Sequence, residues 1–281
     1  MINVFRHPHF SYKAVGDKLK NAVKQCDAIL LESGACDEHD MVEMAYNDLS
    51  FKGYSHIDIT YGNDGVDQEF IEALKEVIRK SRKHIEIEKS PISFKEIRCY
   101  ERMSNEAEKA FVGGRFEEAY RLRLNSTDMF LDINERRDEQ LETQVLKMQD
   151  RMPDKTILMM LGGAHLMYYR LKKVGADVKQ TLASSPIVLD NMSEYMRRKM
   201  LGMPWQPELI ARTFSEDMVG RYLVKVDTEI GEVSRKIREV SDKLSLDDLK
   251  ELSEYIGADM YRRTMPSTAT HLWLRKRGIK L

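Results

Sequence analysis

Apolar and polar positions alternate along the first half of the chain in blocks that are typical of strands and helices in turn. Three apolar runs have the length of buried strands, at Ile2–Phe5, Ala28–Leu31 and Ile157–Leu161. Residues 13–25 and 67–83 place apolar side chains at helical spacing. This alternation predicts an α/β (α+β) fold, with a central mixed, largely parallel sheet flanked by helices.

The remaining pattern completes the sheet and adds a long helical stretch. Three further short strands are predicted, at 56–61, 84–88 and 179–182. Residues 93–152 are helical in pattern, with a break at Gly113-Gly114 and a long helix over 133–151 that Pro153 ends.

From residue 186 onward the pattern changes to a helical C-terminal extension. Prolines mark a crossing segment there, and helices are predicted at 208–238 and 245–263. Ser245 and Asp248 resemble a capping box at the start of the second of these helices. We therefore expect an α/β domain at 1–185 and a mostly helical region at 186–281, which packs on it or forms a small subdomain.

Composition excludes several classes of protein. The 281 residues are 42% hydrophobic and 32% charged, and the net charge of −1 gives no reason to expect nucleic acid as a partner. No apolar run approaches the ~20 residues of a transmembrane segment. Without a signal-peptide pattern, and with three cysteines that lack metal-finger spacing, the chain is expected to be cytoplasmic.

Polar side chains follow three of the apolar runs at the point where each run ends. Glu32 follows the second run, Gly162-Gly163-Ala164-His165 ends the third, and Arg6-His7-Pro8-His9 follows the first. Histidine changes charge near neutral pH and binds metals. If the three strands are parallel neighbours, His9, Glu32 and His165 converge at one edge of the sheet.

Each of these residues also has a purely structural interpretation. His165 could be a hydrogen-bonded histidine at a helix start, His9 a loop histidine beside a proline, and Glu32 one half of a salt bridge at the sheet edge. Arg137 and Asp138 lie among other charges and could belong to an ordinary solvated helix face. Two spare ligand candidates, Glu88 and His39, are expected at the surface.

These segments together resemble the TraB/Tiki/GumN family, which is related to erythromycin esterase and to the haem-binding ChaN proteins. Its members carry two G-x-x-H motifs at strand ends, an acidic residue after an early strand, and an Arg-Asp or Arg-Asn pair before the second motif. The likeness covers residues 2–183 and includes Gly114–Leu122, Glu135–Leu141, the strand before Gly162, the Gly162–Leu166 motif and Gly175. The first motif differs, because Arg6 stands where the family has glycine.

The resemblance implies a metal-dependent hydrolase that cleaves a peptide or an ester bond. His9, Glu32 and His165 would bind one divalent ion (Mn, Co or Zn) and leave a position open for water. Glu32, Arg137 and His165 would be the catalytic residues, with Arg137 stabilising an oxyanion or holding a substrate carboxylate. A metal-free variant is also open, in which a histidine paired with Glu32 activates water as a general base.

Two other function classes stay open. One is a non-catalytic protein on the same fold, which either binds haem or metal or has a regulatory role. The altered first motif would be the sequence feature that indicates this class. The other is a partner-binding protein that works through its helical carboxyl-terminal third. A peptide or small-molecule substrate is the expected partner, and a homo-oligomer is compatible with the sequence.

Overall fold

The computed structural model describes residues 1–7, 12–32, 83–162, 165–182, 190–223, 230–259 and 264–281. The predicted strand at 56–61 and nearly all of the predicted helix at 67–83 lie outside these residues. His9 and His39 lie outside them as well.

The described strands form one five-stranded sheet, in the order β3-β2-β4-β1-β5, and every pairing between them is parallel. The strands are β1 (Ile2–His7), β2 (Ala28–Leu31), β3 (His84–Ile87), β4 (Ile157–Gly162) and β5 (Val178–Leu182). This sheet, together with its helices, confirms the predicted α/β fold. The three strands that carry the predicted site residues, β1, β2 and β4, are neighbours in the sheet.

Four of the described helices lie between strands along the chain, and the other five follow the last strand. They are α1 (Tyr12–Gln25), α2 (Phe94–Val112), α3 (Phe116–Arg151), α4 (Met167–Lys173), α5 (Asn191–Met200), α6 (Glu208–Leu223), α7 (Ile230–Ser241), α8 (Leu246–Asp259) and α9 (Pro266–Lys276). In the described part, no helix is long and apolar enough to cross a bilayer.

Helix α3 continues without a break from Phe116 to Arg151, so it is longer than the helix predicted over 133–151 and fills the helical pattern that follows Gly113-Gly114. The polar stretch around Ser126 and Thr127 does not interrupt it. Both hydroxyls donate hydrogen bonds to the carbonyl oxygen of Arg123, at 2.9 and 2.8 Å. These hydroxyl groups therefore have hydrogen-bond partners inside the helix.

The carboxyl-terminal region also differs from the pattern in detail. A helix, α5, occupies the crossing between the prolines, and the side chain of Asp190 caps it by accepting a hydrogen bond from Ser193 N at 2.6 Å. The predicted helix over 208–238 is described as α6 and α7. At the start of α8, Ser245 N donates to Asp248 Oδ2 at 2.9 Å, and Ser245 Oγ accepts from Asp248 N at 3.2 Å, as the predicted capping box requires.

The chain groups into two compact units, each built from two stretches of sequence. The sheet unit contains Met1–Ile97 and Asp132–Ile187, and the helical unit contains Arg98–Leu131 and Val188–Leu281. Helix α3 contributes its first part to the helical unit and its second part to the sheet unit. Residues 98–131 thus group with the carboxyl-terminal part of the chain, whereas the predicted single boundary at 185 assigns them to the first domain.

The sheet unit has a core on the sheet face that α3 covers. Leu141, Val145 and Met148 form a stripe at helical spacing on α3 and pack against alternate strand residues. Those strand residues are Ile2, Val4, Ala28, Leu30, Ile157, Met159, Leu161 and Val178. The orientation of this stripe determines which side chains of α3 reach the ends of the strands.

Candidate functional site

Five charged side chains meet at the carboxyl ends of β2, β3 and β4, which are adjacent in the sheet. Glu32 directly follows β2, Glu88 directly follows β3, and His165 lies three residues beyond the end of β4. Arg137 and Asp138 come from α3. All five are between 0 and 8% exposed. Burial of this many charges lowers the stability of the fold unless they are paired, so the contacts of each side chain determine what the cluster can do.

The two secondary-structure periods explain why these side chains meet. Ala28 and Leu30 pack on the sheet face that α3 covers, and strand alternation places Glu32 on that same face. On α3, Arg137 precedes Leu141 by four residues and so extends the apolar stripe toward the strand ends. The sheet register and the helix stripe therefore bring Glu32 and Arg137 together.

His165 is held at both ring nitrogens by carboxylates. Asp138 Oδ1 lies 2.5 Å from Nδ1, and Glu32 Oε1 lies 3.0 Å from Nε2. The other oxygen of Asp138 accepts a hydrogen bond from Leu166 N at 3.1 Å. Burial by itself lowers the pKa of His165, but the charges and hydrogen bonds of Asp138 and Glu32 outweigh it and raise the pKa to about 10. Both ring nitrogens then carry protons and donate to the carboxylates at neutral pH.

Glu32 is the central member of the cluster. Its Oε1 accepts a hydrogen bond from Arg137 Nη2 at 3.1 Å, in addition to the contact with His165. Its Oε2 accepts one from Gly162 N at 2.7 Å. The carboxylate is thus fixed by two side chains and by the last residue of β4.

Arg137 links Glu32 to Glu88. Its Nε donates to Glu88 Oε1 at 2.8 Å, and its Nη2 donates to Glu88 Oε2 at 2.7 Å. Burial lowers the pKa of Arg137, but the two glutamates outweigh it and raise the pKa. Nε and Nη2 of Arg137 are therefore engaged with carboxylates of the cluster, whereas the prediction assigns Arg137 to an oxyanion or a substrate carboxylate.

The predicted site residues have the following positions. Glu32 contacts both His165 and Arg137. Of the three side chains predicted to converge at the strand ends, His9, Glu32 and His165, the structure describes the last two, and these are in contact. His9 and the side chain of His7 lie outside the described residues. Arg6 belongs to β1 and pairs in register with Leu161. Burial lowers the pKa of Arg6, and the charges of Tyr169 and Asp138 oppose this effect.

Two members of the cluster were not assigned to the site from sequence. The expectation that Glu88 lies at the surface is wrong, because this residue is fully buried against Arg137. Asp138 is buried as well and does not belong to a solvated helix face. The spacing of Leu141 and Val145 on α3 points to Arg137 and not to Asp138, and the neighbouring charges obscure even that signal.

The cluster holds part of the predicted set of metal ligands. Among the described residues, no group of three or more histidine, cysteine, aspartate or glutamate side chains is arranged to bind a metal ion. His165 Nε2 and Glu32 Oε1 face each other at 3.0 Å, and the carboxylate of Asp138 on Nδ1 is the usual support of a metal-binding histidine. The two described donors suit a transition ion, and His9 would have to supply the third.

Comparison of the chain with family models, with curated proteins and with solved structures finds no match in any of the three.

Proposed function

We propose that this chain is a hydrolase of TraB/Tiki type that cleaves a peptide or an ester bond at the Glu32–His165 pair. The observation that carries the proposal is the chain of contacts from Asp138 through His165 to Glu32 at the ends of parallel strands. A titratable side chain oriented by one carboxylate and facing another is the arrangement of an acid–base centre. The resemblance to the family supplies the reaction class.

The roles of the two residues follow from their protonation. His165 has a pKa of about 10 and is therefore protonated at neutral pH, which suits it to donate a proton to the leaving group. Glu32 would accept the proton of the attacking water. In a metal-free mechanism the base is then Glu32, and His165 is the acid.

The proposed cofactor is one divalent ion, which Glu32, His165 and His9 would hold. When bound, it would polarise the scissile carbonyl and lower the pKa of the attacking water. Asp138 would keep Nδ1 protonated, so that Nε2 of His165 is the nitrogen left for the ion. Mn, Co and Zn are the expected ions.

The test measures turnover of p-nitrophenyl esters and of an internally quenched peptide library. Glu32→Gln preserves the shape of the side chain but removes the base, so activity should fall by about 100-fold or more. Glu142→Gln is the matched control, because Glu142, elsewhere on α3, pairs with Arg170 at 2.9 Å.

Chelator treatment followed by addition of Mn, Co or Zn tests whether the reaction requires a divalent ion. Full activity in Glu32→Gln contradicts the proposal, and activity that resists the chelator selects the metal-free mechanism.

A second candidate function is non-catalytic, and the closed arrangement of the cluster favours it. Glu32 accepts from three donors inside the cluster, and both nitrogens of His165 are engaged there. Such a cluster could serve to tie α3 to the strand ends of a ligand-binding or regulatory protein. In that case Glu32→Gln would lower the free energy of unfolding, and no substrate would be turned over by the wild-type chain.

A further inference from the structure

The buried cluster has two supporting carboxylates, one at each end. Asp138 contacts His165, and Glu88 contacts Arg137 through two hydrogen bonds of 2.8 and 2.7 Å. Both His165 and Arg137 then donate to the same oxygen, Oε1 of Glu32. The two halves of the cluster are therefore alike, in that each consists of a carboxylate, a cation and a shared contact with Glu32.

We infer that Glu88 is a positioning residue of the reaction centre, which holds the guanidinium of Arg137 so that Arg137 keeps Glu32 facing His165. The inference rests on the proposed function, because it assigns Glu88 a part in the same reaction. Glu88 acts through Arg137, because it accepts two hydrogen bonds from the guanidinium, and the guanidinium in turn donates to Glu32.

The geometry of the contact suits this role. An arginine side chain has several rotatable bonds and would sample many orientations without a partner. A bidentate contact with a carboxylate fixes the plane of the guanidinium. Glu88 is itself fixed, because its N donates to Leu31 O at 2.8 Å and so extends the pairing of β3 with β2 by one residue. The sheet thus sets the position of Glu88, Glu88 orients Arg137, and Arg137 contacts Glu32.

The same strand offers a matched control. Glu86 of β3 also pairs with an arginine of α3, since Arg151 Nη2 donates to Glu86 Oε1 at 2.7 Å. This second pair joins β3 to α3 by the same chemistry, but it is partly exposed, and Glu86 lies in register with Leu30 and not with Glu32. Glu86 Oε1 also lies 3.2 Å from His84 Nε2. Removal of Glu86 therefore measures the loss of partly exposed ion pairs of β3 outside the cluster.

The first measurement is kinetic, with the substrate found in the ester and peptide screens. Loss of a supporting carboxylate should reduce kcat by about 10- to 100-fold in Glu88→Gln, with little change in KM. Glu88→Asp keeps the charge but reaches Arg137 less well, so its kcat should be intermediate. Glu86→Gln should keep kcat within about twofold of the wild-type value, as for a surface ion pair.

A double-mutant cycle tests whether Glu88 acts through Arg137. Glu88→Gln combined with Arg137→Gln should be no slower than Arg137→Gln alone. Independent, multiplied losses would contradict a positioning role. If Glu88→Gln and Glu88→Asp both fail to fold while Arg137→Gln folds, Glu88 is a structural residue and the inference is wrong.

The second measurement needs no reaction, so it separates this inference from the proposed function. In chelator-treated protein labelled with ¹⁵N, the Arg137 Nε–H and His165 Nε2–H resonances report the two contacts with the cluster directly. Glu88→Gln should speed solvent exchange of Arg137 Nε–H and shift the His165 signal, whereas Glu86→Gln should change neither. If both signals are unchanged in Glu88→Gln, the inference fails even if the chain proves to be a hydrolase. If they change as expected but no substrate is found, the positioning contact stands and the proposed reaction does not.

Discussion

At the scale of single residues, the ionisation of His165 is coupled to the folding of the chain. His165 is 2% exposed and lies between two carboxylates, so its proton is held far more tightly in the folded chain than in the unfolded one. A group with a raised pKa in the folded state adds stability at low pH and loses this contribution as the pH rises. The coupling can therefore be measured without a substrate.

The first prediction concerns this pH dependence, in protein treated with chelator. The pKa of His165 is about 10 in the folded chain, against 6.5 for an unperturbed histidine. Its contribution to the free energy of unfolding should be complete below pH 6.5 and should decline as the pH rises toward 10. His165→Gln should remove this decline, because the amide does not titrate. Urea unfolding at a series of pH values measures the difference between the two chains.

The exposed histidine His84 supplies the control for that series. It pairs with Glu86 at the surface, and its side chain is 54% exposed. His84→Gln removes a surface histidine and leaves the cluster intact, so the decline that depends on His165 should persist in this variant. A wild-type curve that is flat over this range, or one that His165→Gln does not alter, would mean that the cluster does not hold the proton on His165.

The residues of the site differ in how far the sequence allows them to be predicted. Glu32 and His165 can be identified because each interrupts an apolar run at a strand end. Glu88 follows a strand in which polar and apolar residues alternate, and such a strand can present its last charge to solvent or to the interior equally well. Its burial depends on Arg137, 49 positions away in sequence, and no local pattern records that pairing.

At the scale of elements, the helical unit contains a close approach of backbones that two glycines permit. Gly114, in the turn between α2 and α3, has a φ of 77°, which favours glycine. A Cβ atom placed on Gly257 of α8 would lie 2.8 Å from Gly114 N and 2.9 Å from its Cα. Ser253 Oγ donates to Phe111 O at 2.6 Å beside this contact. Helix α8 therefore packs directly on the backbone of the turn.

The second prediction tests this approach through Gly257→Ala. The added methyl group meets backbone atoms that cannot rotate away, so α8 must shift, and the expected loss of stability is about 1–3 kcal/mol. Gly220→Ala on α6 is the matched control, because its Cβ would meet only the flexible end of Ile237 at 3.3 Å. Alanine should be neutral or stabilising there, by up to ~1 kcal/mol. Equal effects of the two substitutions in urea unfolding would contradict the close packing of α8.

Element types are more predictable than element lengths in this chain. The strands and the capping box at Ser245 follow from local patterns, and the structure confirms them where it describes those residues. The helical pattern after Gly113-Gly114 does not show whether one helix or two follow, because the polar residues Ser126 and Thr127 occur both between helices and within them. In the structure both hydroxyls bond to the carbonyl oxygen of Arg123 within one helix, and a sequence pattern does not reveal these contacts.

At the scale of the whole molecule, the core of the helical unit joins residues that are far apart in sequence. Phe111 of α2 stacks on Phe214 of α6, with ring centroids 4.4 Å apart and an angle of 9° between the rings. Ala107, Phe116 and Ala119 belong to the same core as Trp273 of α9. A boundary at 185 follows from the change in local pattern there. The local pattern cannot show that α2 and the start of α3 bury their apolar faces against helices of the carboxyl-terminal region.

The third prediction follows from this division of the core. A truncated chain of residues 1–185 should not fold as an independent domain, because it keeps α2 and the start of α3 but lacks α6, α8 and α9. Phe111 and Phe116 would then expose apolar surface that is buried in the full chain. The truncated chain should bind a hydrophobic dye such as ANS strongly and should aggregate, whereas the full chain under the same conditions should not.

A second truncated chain makes that test specific. Residues 1–97 and 132–187, joined by a short flexible linker in place of 98–131, contain the complete sheet unit with its core on α3. Because this chain omits the apolar faces of α2 and the start of α3, it should be more soluble than residues 1–185 and bind less dye. A chain of residues 1–185 that is monomeric, binds no dye and unfolds cooperatively would show that residues 98–131 are stable without the carboxyl-terminal helices. The single boundary at 185 would then be the correct division of this protein.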